Sequence, residues 1–274
     1  MNFETTYTYN IAPQDSTQSF KSIAKQLAKV YSEKEFSRGI SDQYTATLKI
    51  LYSLEGNFDY AIFIKHLKES YSQNTVVCYS VALKSLFKMA NLTINTKGVK
   101  VKNNIPEAYH LNEQELDKIR KHNYFCAKQQ KCADIMILMA YTGCRFSDYP
   151  KIEYKEGNVC SIRQQKTGTT VYLPIHDYAK KILKKYGNKV PLMGLGTFNM
   201  HIRLACQSAG IGEKSFKISS HSGRRSFSTN LYERKVDPIS IMAVTGHKNV
   251  SDFLRYVRSS QKQHAIMIND VWKK

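Results

Sequence analysis

Residues 221–256 read His221-Ser-Gly-Arg224 at their start, Thr245-Gly-His247 in their second half and Phe253-Leu-Arg-Tyr256 at their end. Arginine offers a planar, permanently charged fork for two phosphoryl oxygens, and histidine can move a proton near neutral pH. Tyrosine can form a covalent ester, but its ordinary pKa of about 10 leaves only about one in a thousand ionised at pH 7. A tyrosine nucleophile therefore needs neighbours of this kind, and the stretch predicts chemistry at a phosphodiester.

Two further motifs precede this stretch. One is Ala140-Tyr-Thr-Gly-Cys-Arg145, and the other is Ile162-Arg-Gln-Gln-Lys166-Thr-Gly-Thr. Across most of residues 74–260, the chain resembles the tyrosine recombinase (phage integrase) family. The resemblance rests on six positions in the family's order: Arg145, Lys166, His221, Arg224, His247 and Tyr256. The sequence departs from the family at Gly223, where relatives usually carry an apolar residue, and at Arg225, where many carry histidine.

The resemblance implies a site-specific DNA recombinase, of integrase or invertase type, that cuts and rejoins DNA. Tyr256 would attack a DNA phosphodiester and form a 3′-phosphotyrosyl bond. Arg145 and Arg224 would clamp the phosphoryl oxygens and stabilise the charge that builds in the transition state. Relatives act as tetramers on two duplexes, so the expected partners are double-stranded DNA and further copies of this chain.

The remaining motif residues receive proton-transfer and hydrogen-bonding roles from the same resemblance. Lys166 would be the general acid for the 5′-oxygen leaving group, His221 would assist proton transfer at the tyrosine, and His247 would hydrogen-bond the phosphate. Because the covalent step stores the energy of the ester, no cofactor is expected, neither nucleotide nor metal. The sequence agrees, since it contains no P-loop and no carboxylate cluster suited to Mg²⁺.

Each motif residue also has a structural interpretation. Tyr256 could pack in a core, Lys166 could be a solvated turn lysine, His221 and Arg224 could cap a helix or form a surface ion pair, and His247 could cap a helix. Three other functions stay open for the whole chain. These are DNA relaxation of the type IB topoisomerase kind, DNA binding without catalysis, and a purely architectural basic protein.

Composition favours a nucleic-acid partner. The chain has 274 residues, and its 41 Lys and Arg against 22 Asp and Glu give a formal net charge of +19, which suits a polyanion. No apolar run reaches the roughly 18 residues that a membrane span needs, and the first residues do not resemble a signal peptide. The six cysteines are scattered, as in a reducing compartment, and His122, Cys126 and Cys132 lack a fourth zinc ligand. We therefore expect a cytoplasmic, DNA-associated protein.

The order of patterns predicts a mainly α fold with a small β-hairpin. We expect an N-terminal arm over residues 1–18, a helical domain over 19–93, a basic linker over 94–110, and an α+β domain over 111–274. The family resemblance implies that the helical domain is the core-binding domain, which binds DNA, and that the α+β domain is catalytic. In the first domain, Ser41 and Asp59 are predicted N-caps of the second and third helices. The arm has a disordered tail as its alternative.

Local patterns place the motifs within the second domain. Asn112 and Glu115 predict a capping box at its first helix, and residues 132–142 are apolar nearly all round, which predicts a buried helix ending at Gly143. Residues 159–175 predict a hairpin with Lys166 in its turn, and Asp148 is expected to orient Arg145.

The end of the chain carries an apolar helical face. Its members are Ala265, Ile268, Val271 and Trp272, the only tryptophan. We expect this C-terminal helix to dock on a neighbouring subunit, with folding back onto its own domain as the alternative.

Overall fold

The computed structural model describes residues 18–103, 109–155 and 157–257, and of Arg255 and Tyr256 it describes the backbone alone. The chain divides into two compact units, Met1–Pro106 and Glu107–Lys274. The fold is mainly α-helical with a two-stranded antiparallel sheet, which confirms the predicted fold class. The predicted arm, apart from its last residue, and the predicted docking helix around Trp272 lie outside the described residues.

Four helices form the first unit: α1 (Phe20–Ser32), α2 (Arg38–Ser53), α3 (Tyr60–Ser70) and α4 (Gln73–Met89). They enclose a core of fully buried side chains that includes Phe20, Leu27, Leu51, Phe63, Leu67 and Leu83. The predicted N-cap Asp59 is confirmed, because its carboxylate accepts hydrogen bonds from the amides of Ala61 and Ile62. The predicted N-cap Ser41 is wrong. Helix α2 begins a turn earlier, and the Ser41 hydroxyl lies 2.5 Å from the hydroxyl of Tyr31.

The chain that follows α4 stays on the first unit as far as it is described. Ile94, Val99 and Val101 pack against the helical core, and the side-chain amide of Gln73 donates a hydrogen bond to the carbonyl of Lys102 at 2.8 Å. The first part of the predicted linker thus has packing partners of its own. The division into a DNA-binding domain and a catalytic domain stays a prediction.

The second unit contains a two-stranded hairpin and, within residues 109–155 and 157–257, seven α-helices. The helices are α5 (Glu113–Lys121), α6 (Ala127–Thr142), α7 (Asp177–Lys185), α8 (Leu195–Ser208), α9 (Ser220–Glu233), α10 (Pro238–Thr245) and α11 (Val250–Tyr256). The hairpin strands are β1 (Val159–Arg163) and β2 (Thr170–Pro174), paired with Ile162 opposite Val171. The capping box of Asn112 and Glu115 is confirmed. No helix of this described part, or of the first unit, is long and apolar enough to span a bilayer.

Helix α6 forms the centre of the second unit. Every residue from Cys132 to Ala140 is buried, as the apolar pattern predicts. The helix ends at Gly143, whose φ of 71° is the left-handed conformation that glycine adopts without strain. A Cβ at Gly143 would lie 2.7 Å from the ring of Phe227 on α9. The glycine therefore both ends the helix and lets α9 approach.

Gly223 explains one departure from the family pattern. A Cβ at this position would lie 2.7 Å from the Cβ of Met139 and 3.2 Å from the sulfur of Met136. Helix α9 thus crosses α6 so closely that a larger side chain does not fit. The crossing brings the end of α6, with Arg145 just beyond it, next to the α9 turn that carries His221 and Arg224.

Candidate active site

Arg224 is held where two helices end. Its side chain is only 2 % exposed. One terminal nitrogen donates a hydrogen bond to the carbonyl of Gly143 at 3.0 Å, and the other donates a short one to the carbonyl of Thr245. These carbonyls lie at the C-terminal ends of α6 and α10, where helices leave acceptors without intrahelical donors and carry partial negative charge. The guanidinium is therefore fixed before any ligand arrives.

Arg145 leaves the end of α6 through a tight turn. It follows the buried Cys144, and its carbonyl accepts hydrogen bonds from the amides of Asp148 and Tyr149 at 2.9 and 3.1 Å. The side chain is half-buried. A buried helix followed by a closed turn therefore fixes the backbone from which the Arg145 side chain extends.

Asp148 does not play the predicted part. Its carboxylate accepts a hydrogen bond from the amide of Gln165 at 2.8 Å and lies 3.5 Å from the amine of Lys151. No ion pair with Arg145 occurs among the described residues, so the prediction that Asp148 orients Arg145 is wrong. The turn geometry aims this buried carboxylate at the hairpin and lets it anchor the segment that carries Lys166.

His221 lies one helical turn before Arg224 on α9, and the residue keeps access to solvent although its titrating ring is partly desolvated. Its pKa is lowered from the ordinary value, first by desolvation and then by the positive charges of Arg225, Arg224, Lys166 and Arg145. These charges come from α9, from the hairpin turn and from the end of α6. The structure thus brings together three of the predicted motifs around this histidine.

His247 follows the left-handed Gly246 that ends α10. Desolvation, Arg224 and Arg145 lower its pKa to about 4, against a small opposing effect of Asp252. Its Nδ1 lies 2.8 Å from the Thr245 hydroxyl, which itself donates to the carbonyl of Ile241 at 2.7 Å. Because that hydroxyl has a single proton, it accepts from His247, and this assigns the proton of the neutral imidazole to Nδ1.

Lys166 lies in the hairpin turn between β1 and β2, as predicted, and the residue is exposed. Sequence reasoning missed the residue that holds this turn, Gln164, whose side-chain amide is 2 % exposed and donates to the carbonyl of Thr245 at 3.0 Å. A signal was present, because Gln164 continues the alternation that places Ile162 on the buried face of β1.

Tyr256 is the last residue of α11. The helix is fixed by Phe253, which is fully buried in a small cluster with Phe227 and Ile241. The Tyr256 side chain lies outside the described residues, so the structure places the backbone of the predicted nucleophile and not its hydroxyl.

The arrangement is an anion site. Arg145 and Arg224 act on both histidines, and Lys166 acts on His221 alone. The pKa of each imidazole is lowered, first by desolvation and then by these positive charges. Such a site suits a phosphoryl group, which would accept hydrogen bonds from both guanidinium groups. Within the described part of the chain, no group of three His, Cys, Asp or Glu residues is placed to hold a metal ion.

Comparisons with known proteins agree on family and fold. The phage integrase family model matches residues 109–263. The Tn1549 transposon integrase in complex with a circular intermediate DNA is 14% identical, with a TM-score of 0.70 over 93% of this chain and 100% of that one. A lambda integrase tetramer bound to a Holliday junction is 15% identical, with a TM-score of 0.69 over 90% of this chain and 80% of that one.

The XerH site-specific recombinase bound to a palindromic difH substrate is 18% identical, with a TM-score of 0.65 over 92% of this chain and 85% of that one. The TM-scores of these three structures show a shared fold, and at identities this low the likeness shows the fold alone. No significant match was found among curated protein sequences.

Proposed function

The chain belongs to the phage integrase family of tyrosine-type site-specific recombinases, and we propose that it cuts and rejoins DNA through a 3′-phosphotyrosyl intermediate. One observation carries the proposal. Arg145, Lys166 and Arg224 come from three separate segments, and the positive charge of each lowers the pKa of the same histidine, His221. The net charge of +19 supplies the long-range attraction that a DNA substrate needs.

Bond formation begins at Tyr256. Its hydroxyl oxygen attacks the scissile phosphorus, and His221, kept neutral by its surroundings, takes up the phenolic proton. Arg145 and Arg224 donate to the non-bridging oxygens, where negative charge accumulates in the transition state. Because Arg224 is already held by two carbonyls, little reorganisation accompanies the reaction.

Bond cleavage takes place at the opposite side of the phosphorus. The bond from phosphorus to the 5′-oxygen breaks, and Lys166 donates a proton to that oxygen, which leaves as a 5′-hydroxyl. The protein is then covalently joined to the 3′-phosphate of the cut DNA strand through the oxygen of Tyr256. Rejoining is the reverse sequence with a new 5′-hydroxyl as the nucleophile, so the ester supplies the energy for the second bond.

His247 is proposed to bind the phosphate through Nε2. Since Nδ1–H is engaged with Thr245, Nε2 can donate only when the imidazole is protonated. With a pKa near 4 in the free protein, the ring is neutral at pH 7. An anionic phosphate between the two arginines offsets their charge and favours the protonated form, so that His247 becomes a donor once DNA is bound.

We propose that the first unit also binds DNA, in addition to the second unit, which contains the candidate active site. Lys21, Lys25 and Lys29 lie on the exposed face of α1, opposite its buried residues. Contacts of this kind to phosphates release counterions, so binding should weaken steeply as salt concentration rises.

The C-terminal segment is proposed to join subunits into a tetramer on DNA. The second unit has a groove whose lining includes the apolar Ala140, Phe227 and Ile241 as well as the charged Lys180 and Arg234, and we propose it as the acceptor for the apolar residues around Trp272. Trp272→Ala should leave cleavage of a single site intact while strand exchange between two sites is lost. Equal loss of both reactions would contradict this role.

The test of the activity uses a nicked suicide duplex, in which the freed 5′ fragment diffuses away. Wild type should form a covalent protein–DNA adduct in EDTA and without nucleotide, and Tyr256→Phe should form none while binding DNA as wild type does. An adduct with Tyr256→Phe would move the nucleophile elsewhere. Relaxation of supercoiled DNA by the monomer, without exchange between sites, would favour a topoisomerase instead.

A further inference from the structure

Gln164 uses every polar group that it has. Its backbone amide donates to the carbonyl of Thr169, and its carbonyl accepts from the amide of Gly168, both at 2.9 Å. Its side-chain oxygen accepts from the hydroxyl of Thr167 at 2.9 Å, and its side-chain nitrogen donates to the carbonyl of Thr245. The residue closes the hairpin turn with its backbone and ties that turn to the end of α10 with its side chain.

We propose that Gln164 is the positioning residue for Lys166: it fixes the turn that carries the lysine on the carbonyl of Thr245, so that the ammonium group meets the leaving oxygen. The inference rests on the function proposed above, in which Lys166 protonates that oxygen.

The hairpin needs such an anchor. A two-stranded hairpin by itself is marginally stable in water, and residues 165–170 are all exposed. Two buried groups hold the turn from below: the side chain of Gln164 on Thr245, and the carboxylate of Asp148 on the amide of Gln165. Lys166 follows directly after these two anchored residues, and its own side chain is long and flexible.

The other side of the contact is already rigid. Thr245 ends α10, its hydroxyl bonds to Ile241, and its carbonyl also receives Arg224. Gly246 has a φ of 71°, and a Cβ there would lie 2.8 Å from the Gln164 amide, so the two residues pack closely. Because Thr245 is also held by Ile241 and Arg224, whereas the hairpin turn is exposed, the turn is the partner that moves if the Gln164 contact is lost. A displacement of about 1 Å at a reacting group can cost about 100-fold in rate.

Gln164→Met separates the contact from the packing. Methionine has a similar length and volume, and it removes both hydrogen bonds. The carbonyl of Thr245 keeps Arg224 as a donor, and the exposed Thr167 can bond to water, so no buried group is left unpaired. The matched control is Gln165→Met, the same exchange one residue along the chain, where the side chain is exposed and the anchoring amide is retained.

The experiment compares cleavage of two suicide duplexes by full-length protein. One duplex is ordinary, and the other has sulfur in place of the 5′-bridging oxygen at the scissile phosphate. On the first, Tyr256 bonds to phosphorus, the bond from phosphorus to the 5′-oxygen breaks, and that oxygen takes a proton from Lys166. On the second, the bond from phosphorus to sulfur breaks and a thiolate leaves without a proton, since a thiol has a pKa of only about 8.5.

Gln164→Met should cleave the ordinary duplex about 100-fold more slowly than wild type and approach the wild-type rate on the sulfur duplex. Lys166→Ala should show the same pattern with a loss of about 10²–10⁴-fold on the ordinary duplex. Gln165→Met should match wild type on both. Thermal melting of each variant checks that the second unit remains folded.

The other outcomes overturn the inference. A wild-type rate of Gln164→Met on the ordinary duplex would show that the contact does not position the lysine. An equal loss on both duplexes would show that Gln164 acts through the Thr245 corner or through the fold. If Lys166→Ala cleaves the sulfur duplex as slowly as the ordinary one, the lysine is not the general acid, and Gln164 cannot act by positioning it. If wild type forms no adduct with either duplex, the proposed function itself fails.

Discussion

Arg145→Gln tests the geometry of the site without any DNA. The pKa of His247 is about 4 and that of His221 is also lowered, and the charge of Arg145 contributes to both. Lys166 contributes to the lowering at His221 only. Removing Arg145's charge should therefore raise the pKa of both histidines, whereas Lys166→Gln should raise that of His221 and leave His247 unchanged. A disordered cluster of charges would not give this selective pattern.

The size of the effect at His247 follows from the order of its causes. Desolvation contributes most, Arg224 next and Arg145 least to the lowering from 6.5 to about 4. The smallest of three lowering contributions is at most about a third of their sum, so Arg145→Gln should raise the pKa of His247 by about one unit and leave it well below 6.5. At His221 Arg145 is the last of the causes, and a smaller rise is expected.

The assay is a pH titration of the imidazole resonances by NMR, with each of the eight histidines assigned from a His→Asn variant. Histidines of the second unit that lie on other helix ends or helices, His122, His176 and His201, report that this unit is still folded. A wild-type His247 that titrates above pH 6 would refute the buried, cation-lined setting. So would an Arg145→Gln protein in which neither histidine changes, because the guanidinium would then not face the site.

Three further outcomes are expected. Arg224→Lys should lower the free energy of unfolding by about 1.5–3 kcal/mol, because an ammonium cannot bridge both carbonyls; unchanged urea denaturation would contradict the bridge. Gly223→Ala should lower the free energy of unfolding by about 1–3 kcal/mol, because the added Cβ would contact Met139. Gly196→Ala, with open space around it, should be neutral or stabilising. Equal effects of the two substitutions would argue against the close crossing of α6 and α9. Because folding lowers the pKa of His247, the contribution of this residue to the free energy of unfolding is complete above about pH 6.5 and is lost as pH falls towards 4. His247→Asn should therefore reduce the loss of stability on the acid side by about 1–2 kcal/mol, after allowance for solvent screening.

Much of the second unit could be predicted because its signals are local. The apolar run of α6, the glycine after it, the capping box at Asn112 and the hairpin around Lys166 each depend on a few neighbouring residues. The start of α2 was predicted wrongly because serines, which favour N-cap positions, stand at both 37 and 41. Ser37 precedes the first turn, and the Ser41 hydroxyl instead contacts Tyr31, ten residues earlier in the chain.

The contacts between segments could not be predicted, and Asp148 shows why. Its position three residues after Arg145 suggested that it orients that arginine. The turn instead aims the carboxylate at the amide of Gln165, seventeen positions along the chain. Gln164 was missed for the same reason, because its partner Thr245 lies 81 positions away.

Arg224 has two roles, and they constrain how its variants can be interpreted. Its guanidinium joins the ends of α6 and α10 in the free protein, yet the same group is proposed to clamp the phosphate. An arginine has five N–H donors in a fixed fork, so a structural role and a role at the phosphate are compatible. Loss of cleavage in Arg224→Ala would therefore not separate a broken site from a missing clamp. Arg145 has no such bridge among the described residues, so a folded Arg145→Gln protein that has lost cleavage assigns the clamp more directly.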